Sequence, residues 1–259
     1  MSQRRLWRHS WRDARLLAAS VIQLALNVWL AGTWHRRSWI ELGWLWPAGA
    51  VLFWYNAVVV THNFLHTPWF EREPLNRIYA TLDSANLGVP VTLCRFHHLN
   101  HHRHGNDRPD AAGLTRDHSS TYRFGAGGRP ERAVTYALLG LFRGGTAEAW
   151  REAAHGRERG RLLAEAGACG MALAGYLLLC WQFVLLFLIP VFYAGSVLGI
   201  VTNYYQHGGG ALARPWPNAV SHYGRFYNRV CCNEGYHREH HGRPGVHWTE
   251  RPTLRDVEP

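Results

Sequence analysis

From Leu162 to Gln206 the chain runs through forty-five residues with a single charge, Glu165. One bilayer crossing takes about 20 apolar residues, so this run is too long for one span and suits two joined by a tight turn. The turn is expected near Gln182, with Pro190 able to kink the second helix. Two shorter apolar runs precede it. Leu16–Thr33 is interrupted only by Ser20, Gln23 and Asn27, and Leu42–Val60 is flanked by Trp39, Trp44 and Trp46, ring types that settle at headgroup level. Pro47 is assigned to the first turn of the second helix, which runs on to His66 and is stopped by Pro68. The fold expected is all-α and integral to the membrane. Four transmembrane helices, at about 16–34, 44–66, 162–181 and 184–206, leave residues 67–160 and 207–259 as a helical cap within a single domain.

Composition agrees once it is read by segment. The chain of 259 residues is 47% hydrophobic although its mean hydropathy is slightly negative, because its 28 basic residues, all arginine, lie between the apolar runs. Five arginines precede the first run and Arg36 and Arg37 follow it, which places the N-terminus in the cytoplasm as a retained first span and not a removed signal peptide. With four crossings the cap and C-terminus fall on the same face. The net charge of +10 would suit an anionic membrane surface or an acidic partner; no nucleic-acid module appears, and no nucleic-acid partner is expected. The five cysteines show no paired spacing and fit a reducing environment. In the cap, Ser84–Leu93 is too short to cross, the GAGG run at 125–128 reads as a loop, and helices are expected over Glu131–Arg143 and Thr146–Arg161, the first amphipathic enough to lie on a membrane surface. Gly208–Gly210 should end the last apolar run.

The cap carries the chemistry. His97–Asp107, read HHLNHHRHGND, holds five of the seventeen histidines, and in a helix ending at Gly105-Asn106 it projects His98, His101 and His102 from one face. His62 and His66 form HxxxH at the end of the second span. Asn203 and His207 form NxxxH at the end of the fourth, and His237, His240 and His241 make a second HxxHH closed by Gly242. Zinc-protease chemistry is a poor reading, since Asn63 stands where the Glu of HExxH belongs. Nine imidazoles exceed what one tetrahedral ion uses and fit two metal ions. Spacing does not choose among Fe, Zn, Cu and Ni. Asn63, Asn100, Asp107, Glu234 and Glu239 are candidates for orienting ligand rings, while His97 and His104 lie off the ligand register.

The order HxxxH, HxxHH, span pair, HxxHH resembles that of the membrane fatty acid desaturase superfamily, which includes acyl desaturases, hydroxylases and carotenoid ketolases. NEGYHREHHGRP at 233–244 is similar to its third histidine box, and NYYQH at 203–207 to the Asn-plus-His of its last span. The resemblance implies a cytosolic di-iron cap on four spans that uses O2 and two electrons to attack an unactivated C–H bond. Its two irons would be held by His62, His66, His98, His101, His102, His207, His237, His240 and His241, with Asn203 acting through a water and no catalytic residue beyond the metal site. It implies a long-chain fatty-acyl or lipid-like substrate, desaturated or, as the alternative, hydroxylated or converted to a ketone. With no cytochrome b5 or rubredoxin domain in the sequence, electrons are expected from a separate ferredoxin, rubredoxin or cytochrome b5 type of donor. Asn63 departs from the Asp or Glu common in the first box. A reading of another class, a membrane metal-handling protein, would need ionisable residues along the spans, which carry only Ser, Thr, Asn and Gln.

Overall fold

The computed structural model describes residues 5–207 and 218–255. Gly208–Gly210 lie outside the described residues. Among those described the chain is helical, with no β-strand beyond a bridge between Trp7 and Phe70. The helices are α1 (Ala14–Thr33), α2 (Trp39–Tyr55), α3 (His62–His66), α4 (Glu73–Leu87), α5 (Val91–His104), α6 (Ala133–Arg143), α7 (Thr146–His155), α8 (Arg159–Phe183), α9 (Ile189–Gln206), α10 (Arg225–Val230) and α11 (His237–Gly242). Among the described residues three helical stretches are long and apolar enough to cross a membrane: Trp11–Arg36, Trp39–His66 and the 48-residue Arg159–Gln206. The chain divides into two compact units, one of residues 1–94 and 153–196, the other of 95–152 and 197–259.

In the first unit the polar side chains of α1 point inward. Ser20, Gln23 and Asn27, at i, i+3 and i+7, are buried, while Val21, Ile22, Val28 and Trp29 face outward. The inner face meets α4, a helix that the sequence reading left as part of a polar cap. Ser20 Oγ donates to Asp83 Oδ1 at 3.0 Å and Thr61 Oγ1 to Asp83 Oδ2 at 2.7 Å, while Asn86 Nδ2 donates to the Ser20 carbonyl at 3.2 Å. Polar side chains turn inward and apolar ones outward, the reverse of a water-soluble helix. Leu178, 89% exposed, and Met171, 72% exposed, show the same arrangement on α8. Exposed apolar surface of this extent marks contact with lipid, and the protein is an integral membrane protein.

α2 begins eight residues before Pro47, so that proline lies inside the helix and not in its first turn. The start is fixed by a capping box: Ser38 Oγ accepts from the Glu41 amide at 3.3 Å, and Glu41 Oε2 accepts from the Ser38 amide at 2.7 Å. The helix then widens into a π turn over Asn56–Thr61, directly before His62.

The long apolar run reverses at Cys180, whose backbone is extended (φ −165°, ψ 98°), two residues before the expected turn. α8 ascends beside α1: Cys169 Sγ donates to the Ser84 carbonyl at 3.1 Å at the level of Ser20, and Phe183 packs on Trp34 with centroids 5.9 Å apart. Beyond Cys180 the chain follows α2, with Trp46 against Leu186, Gly49 against Phe187 and Val191, and Gly195 against Phe53. A side chain at Gly195 would place Cβ 2.6 Å from Phe53. A second π turn, Val184–Leu188, precedes Pro190. Pro190 lacks the N–H that would bond the Leu186 carbonyl in an α-helix, and the indole Nε1 of Trp46 donates to that carbonyl instead, at 2.8 Å. Trp46→Phe should therefore lower stability by about 1 kcal/mol, the net worth of one such bond, as read by thermal unfolding in detergent; an unchanged transition would mean the carbonyl has another donor.

Glu165, the single charge of the run, has a structural use. Its carboxylate accepts from the Thr92 amide at 2.6 Å and the Thr92 hydroxyl at 3.1 Å, in the first turn of α5, where unsatisfied N–H groups and the helix dipole favour an anion. It anchors the start of the helix that carries the second histidine group. The expected helix over Thr146–Arg161 is two: α7 ends at His155, and a bend at Gly156 separates it from α8.

In the second unit, the histidine helix ends as the sequence indicates, with Gly105 (φ 48°) and Asn106 (φ 57°) left-handed. The segment entering α11 turns through Cys232 (φ 51°) and Asn233 (φ 61°). Gly235 follows, where an added Cβ would lie 2.1 Å from the His222 carbonyl oxygen. Only glycine allows that approach, and it sets the angle at which His237 enters.

Candidate metal centre

In the second unit four imidazoles meet. His101 from α5, His207 just beyond α9, and His237 and His241 from α11 each offer a ring nitrogen, and these four atoms lie within 4.8 Å of one another. His207 Nε2 is 2.9 Å from His101 Nε2 and 3.4 Å from His237 Nε2. Ring nitrogens around one tetrahedral ion, each about 2.0–2.1 Å from it, stand about 3.4 Å apart, so the spacing is that of a coordination shell. The four are buried, with His207 at 1% exposure, and His237 Nδ1 is enclosed with no hydrogen-bonding partner among the described residues.

The electrostatics suit a cation. Burial, and then the neighbouring His101 ring, push His207 down to about 3, and burial with the adjacent imidazoles holds His237 and His241 well below the usual histidine range. Such rings are neutral at physiological pH and keep a lone pair for a metal. Their tautomers are set from behind. His207 Nδ1 faces the Asn218 carbonyl at 2.5 Å and His101 Nδ1 faces Asp117 Oδ2 at 2.9 Å, so each carries its proton on Nδ1 and presents Nε2 to the centre.

The remaining histidines of the two HxxHH groups adjoin this cluster. His102 stacks on His241 at 4.2 Å between centroids, and its Nε2 is 3.1 Å from that of the buried His240. His98 packs on His102 at 4.5 Å and lies 6.5 Å from His240. His62 and His66, in the first unit, face each other at 5.2 Å. His97, read as off the ligand register, is turned to the Gly144 carbonyl at 2.6 Å.

The polar candidates have definite partners. Asp107 accepts from the amides of Arg116 and Asp117, at 2.8 and 3.0 Å, and so fixes the loop that bears Asp117. Asn100 holds the same loop through the Arg116 carbonyl and the His118 amide. Glu234 pairs with the buried Arg251 at 2.7 Å, and Glu239 accepts from Ser221 and Tyr223. Asn63 Nδ2 donates back along its helix to Val59. The Asn203 amide donates to the Tyr136 hydroxyl at 2.8 Å. Asp117, Tyr136, Asn218 and Arg251 were not singled out from the sequence. Each lies 10 or more residues from the partner it holds, Tyr136 on α6 and the others outside the apolar runs, and no local pattern marks them.

Imidazole donors admit several transition metals, and the comparisons narrow the choice. No curated protein and no solved structure matches the chain. The model of the fatty acid desaturase family, however, matches residues 38–259, from the cap of α2 to the C-terminal residue and thus across every histidine group. With its lipid-facing helices and buried imidazole cluster inside that span, the chain belongs to the fatty acid desaturase family.

Proposed function

We propose that this protein is an O2-dependent di-iron oxidoreductase that desaturates a long-chain fatty-acyl or other lipid-like substrate. Membership of the family implies an oxidoreductase working on lipid at a membrane. The observation that carries the finer reading is the set of four buried imidazoles at coordination spacing, His101, His207, His237 and His241. His98, His102 and His240 join the ligand set through their contacts with that cluster. His62 and His66 join it through their place in the family's first histidine box. Asn203 acts through a water held beside the Tyr136 hydroxyl.

Two bound irons would supply the reduction of one O2 by two electrons, with two protons and the two hydrogens lost from the substrate leaving in two waters. The chain's own residues hold the imidazole donors in place and, for His101 and His207, fix which ring nitrogen faces inward. A separate redox protein of ferredoxin, rubredoxin or cytochrome b5 type delivers the electrons. With four crossings, the histidine groups and both termini would lie on the cytoplasmic face. The reversal at Cys180 supports the count of crossings, because a straight helix of 48 residues would be about 72 Å long against a hydrocarbon core of about 30 Å.

The test is metal and product analysis of the purified protein, supplied with a reductase, O2 and membrane lipid. The expected result is two irons per chain and a product lighter by two hydrogens. A product heavier by one oxygen would convert the reading to a hydroxylase. Readily exchanged zinc with no O2 consumption would replace it with a metal-handling role.

A further inference from the structure

We infer that Asp117 is the positioning residue of the His101 ligand, the carboxylate that fixes this ring's tautomer and offsets the charge of the cation it binds. The inference rests on the metal-centre reading above. It starts from a loop with no family motif, TRDHSST at 115–121.

Asp117 is buried with 0% exposure, and both of its oxygens are occupied. Oδ2 accepts from the Asn106 amide at 2.7 Å and faces His101 Nδ1 at 2.9 Å. Oδ1 accepts from the amide and the hydroxyl of Ser119, both at 2.8 Å. With both oxygens already accepting from N–H and O–H donors, Asp117 stands as an acceptor toward His101, so the proton between them resides on Nδ1 and the Nε2 lone pair is left for the metal.

The loop is built to aim that carboxylate. Asn100 and Asp107 grip its backbone from the end of α5, and Asn106 Oδ1 accepts from the amide and hydroxyl of Thr121 at 2.7 and 2.9 Å. From the other side the Tyr136 hydroxyl donates to the Ser119 carbonyl at 2.6 Å while accepting from Asn203. Asn203 is thereby joined to His101 through Tyr136, Ser119 and Asp117. The charge argument points the same way. Imidazole ligands bring no negative charge, and the other buried carboxylates among the described residues of this unit, Glu131 and Glu234, are matched by Arg143 and Arg251. Asp117 is the anion left to balance a divalent ion.

The test is Co(II) binding by full-length apoprotein in detergent, measured by chelator competition and by visible absorption. Asp117→Ala should weaken Co(II) affinity about 10–100-fold and alter the absorption bands. Asp117→Asn should weaken it comparably despite its matching shape, because its amide set against His101 would force the ring proton to Nε2. Asp110→Asn, at a surface turn where the carboxylate accepts only from Ala112 and Leu114, should leave binding unchanged. Wild-type affinity and spectrum in a folded Asp117→Ala would overturn the inference and leave the metal centre standing. Wild-type protein that binds no Co(II) would overturn the metal centre itself. If the alanine variant does not fold, nitrogen NMR of histidine-labelled wild-type apoprotein decides. His101, identified by the signal lost in His101→Gln, should be protonated on Nδ1; protonation on Nε2 overturns the assignment.

Discussion

Replacing His101 by alanine is expected to lower product formation more than about 100-fold, beyond the 10–100-fold that follows loss of an outer partner of a ligand, with the protein still in the membrane. The ring faces His207 Nε2 on one side and Asp117 on the other, so its removal takes away a donor of the four-histidine cluster and exposes the rest to rearrangement. Apolar helices in the first unit supply the membrane anchorage, and their packing does not involve this side chain. Product yield per membrane-inserted chain is the measurement. A variant that turns over at the parental rate would remove His101 from the ligand set.

Glu234→Ala should give the largest loss of stability, about 3–5 kcal/mol. Its carboxylate and the Arg251 guanidinium are both buried, 2.7 Å apart, and truncation leaves the guanidinium charge without its counter-ion in a low-dielectric surrounding. Glu234 lies three residues before His237, so the pair also ties the C-terminal segment to the turn that leads into the third histidine group. Thermal unfolding in detergent would read the loss. Replacing Glu234 and Arg251 together by apolar residues should recover much of it, because no lone charge then remains. A single-variant loss below about 1 kcal/mol would mean that water reaches the pair.

Where the sequence was informative, a short-range physical rule acted alone. The apolar runs located the lipid-facing helices, i, i+3 and i+4 spacing located the histidine faces, and Gly105-Asn106 marked the end of α5 within one residue. Reading failed where two rules competed. Pro47 was taken for a helix start, but the capping box of Ser38 and Glu41 is the stronger signal and the proline is carried inside. Ser20, Gln23 and Asn27 looked like interruptions of an apolar span. They are its inner face, with Ser20 and Gln23 engaged with α4, and α4 was missed because its amphipathic pattern is inverted relative to a soluble helix. The histidine groups were legible since each lies within one or two turns. Asp117, sixteen residues beyond His101, was not, because its role comes from a loop fold that Asn100, Asn106 and Asp107 impose together.

The π turn over Asn56–Thr61 gives the second span a phase as well as a length. A π turn takes up one residue more than an α turn, and each residue of an α-helix rotates its side chain by about 100°. Counted forward from Trp39 at helical pitch, His62 and His66 fall one position away from where they face. Hydrophobic thickness fixes how many residues reach the membrane edge, and the extra residue independently fixes the azimuth at which the histidines emerge. Lengthening or shortening this helix to suit a thicker or thinner bilayer would therefore move depth and direction together, unless a second change of one residue restored the phase.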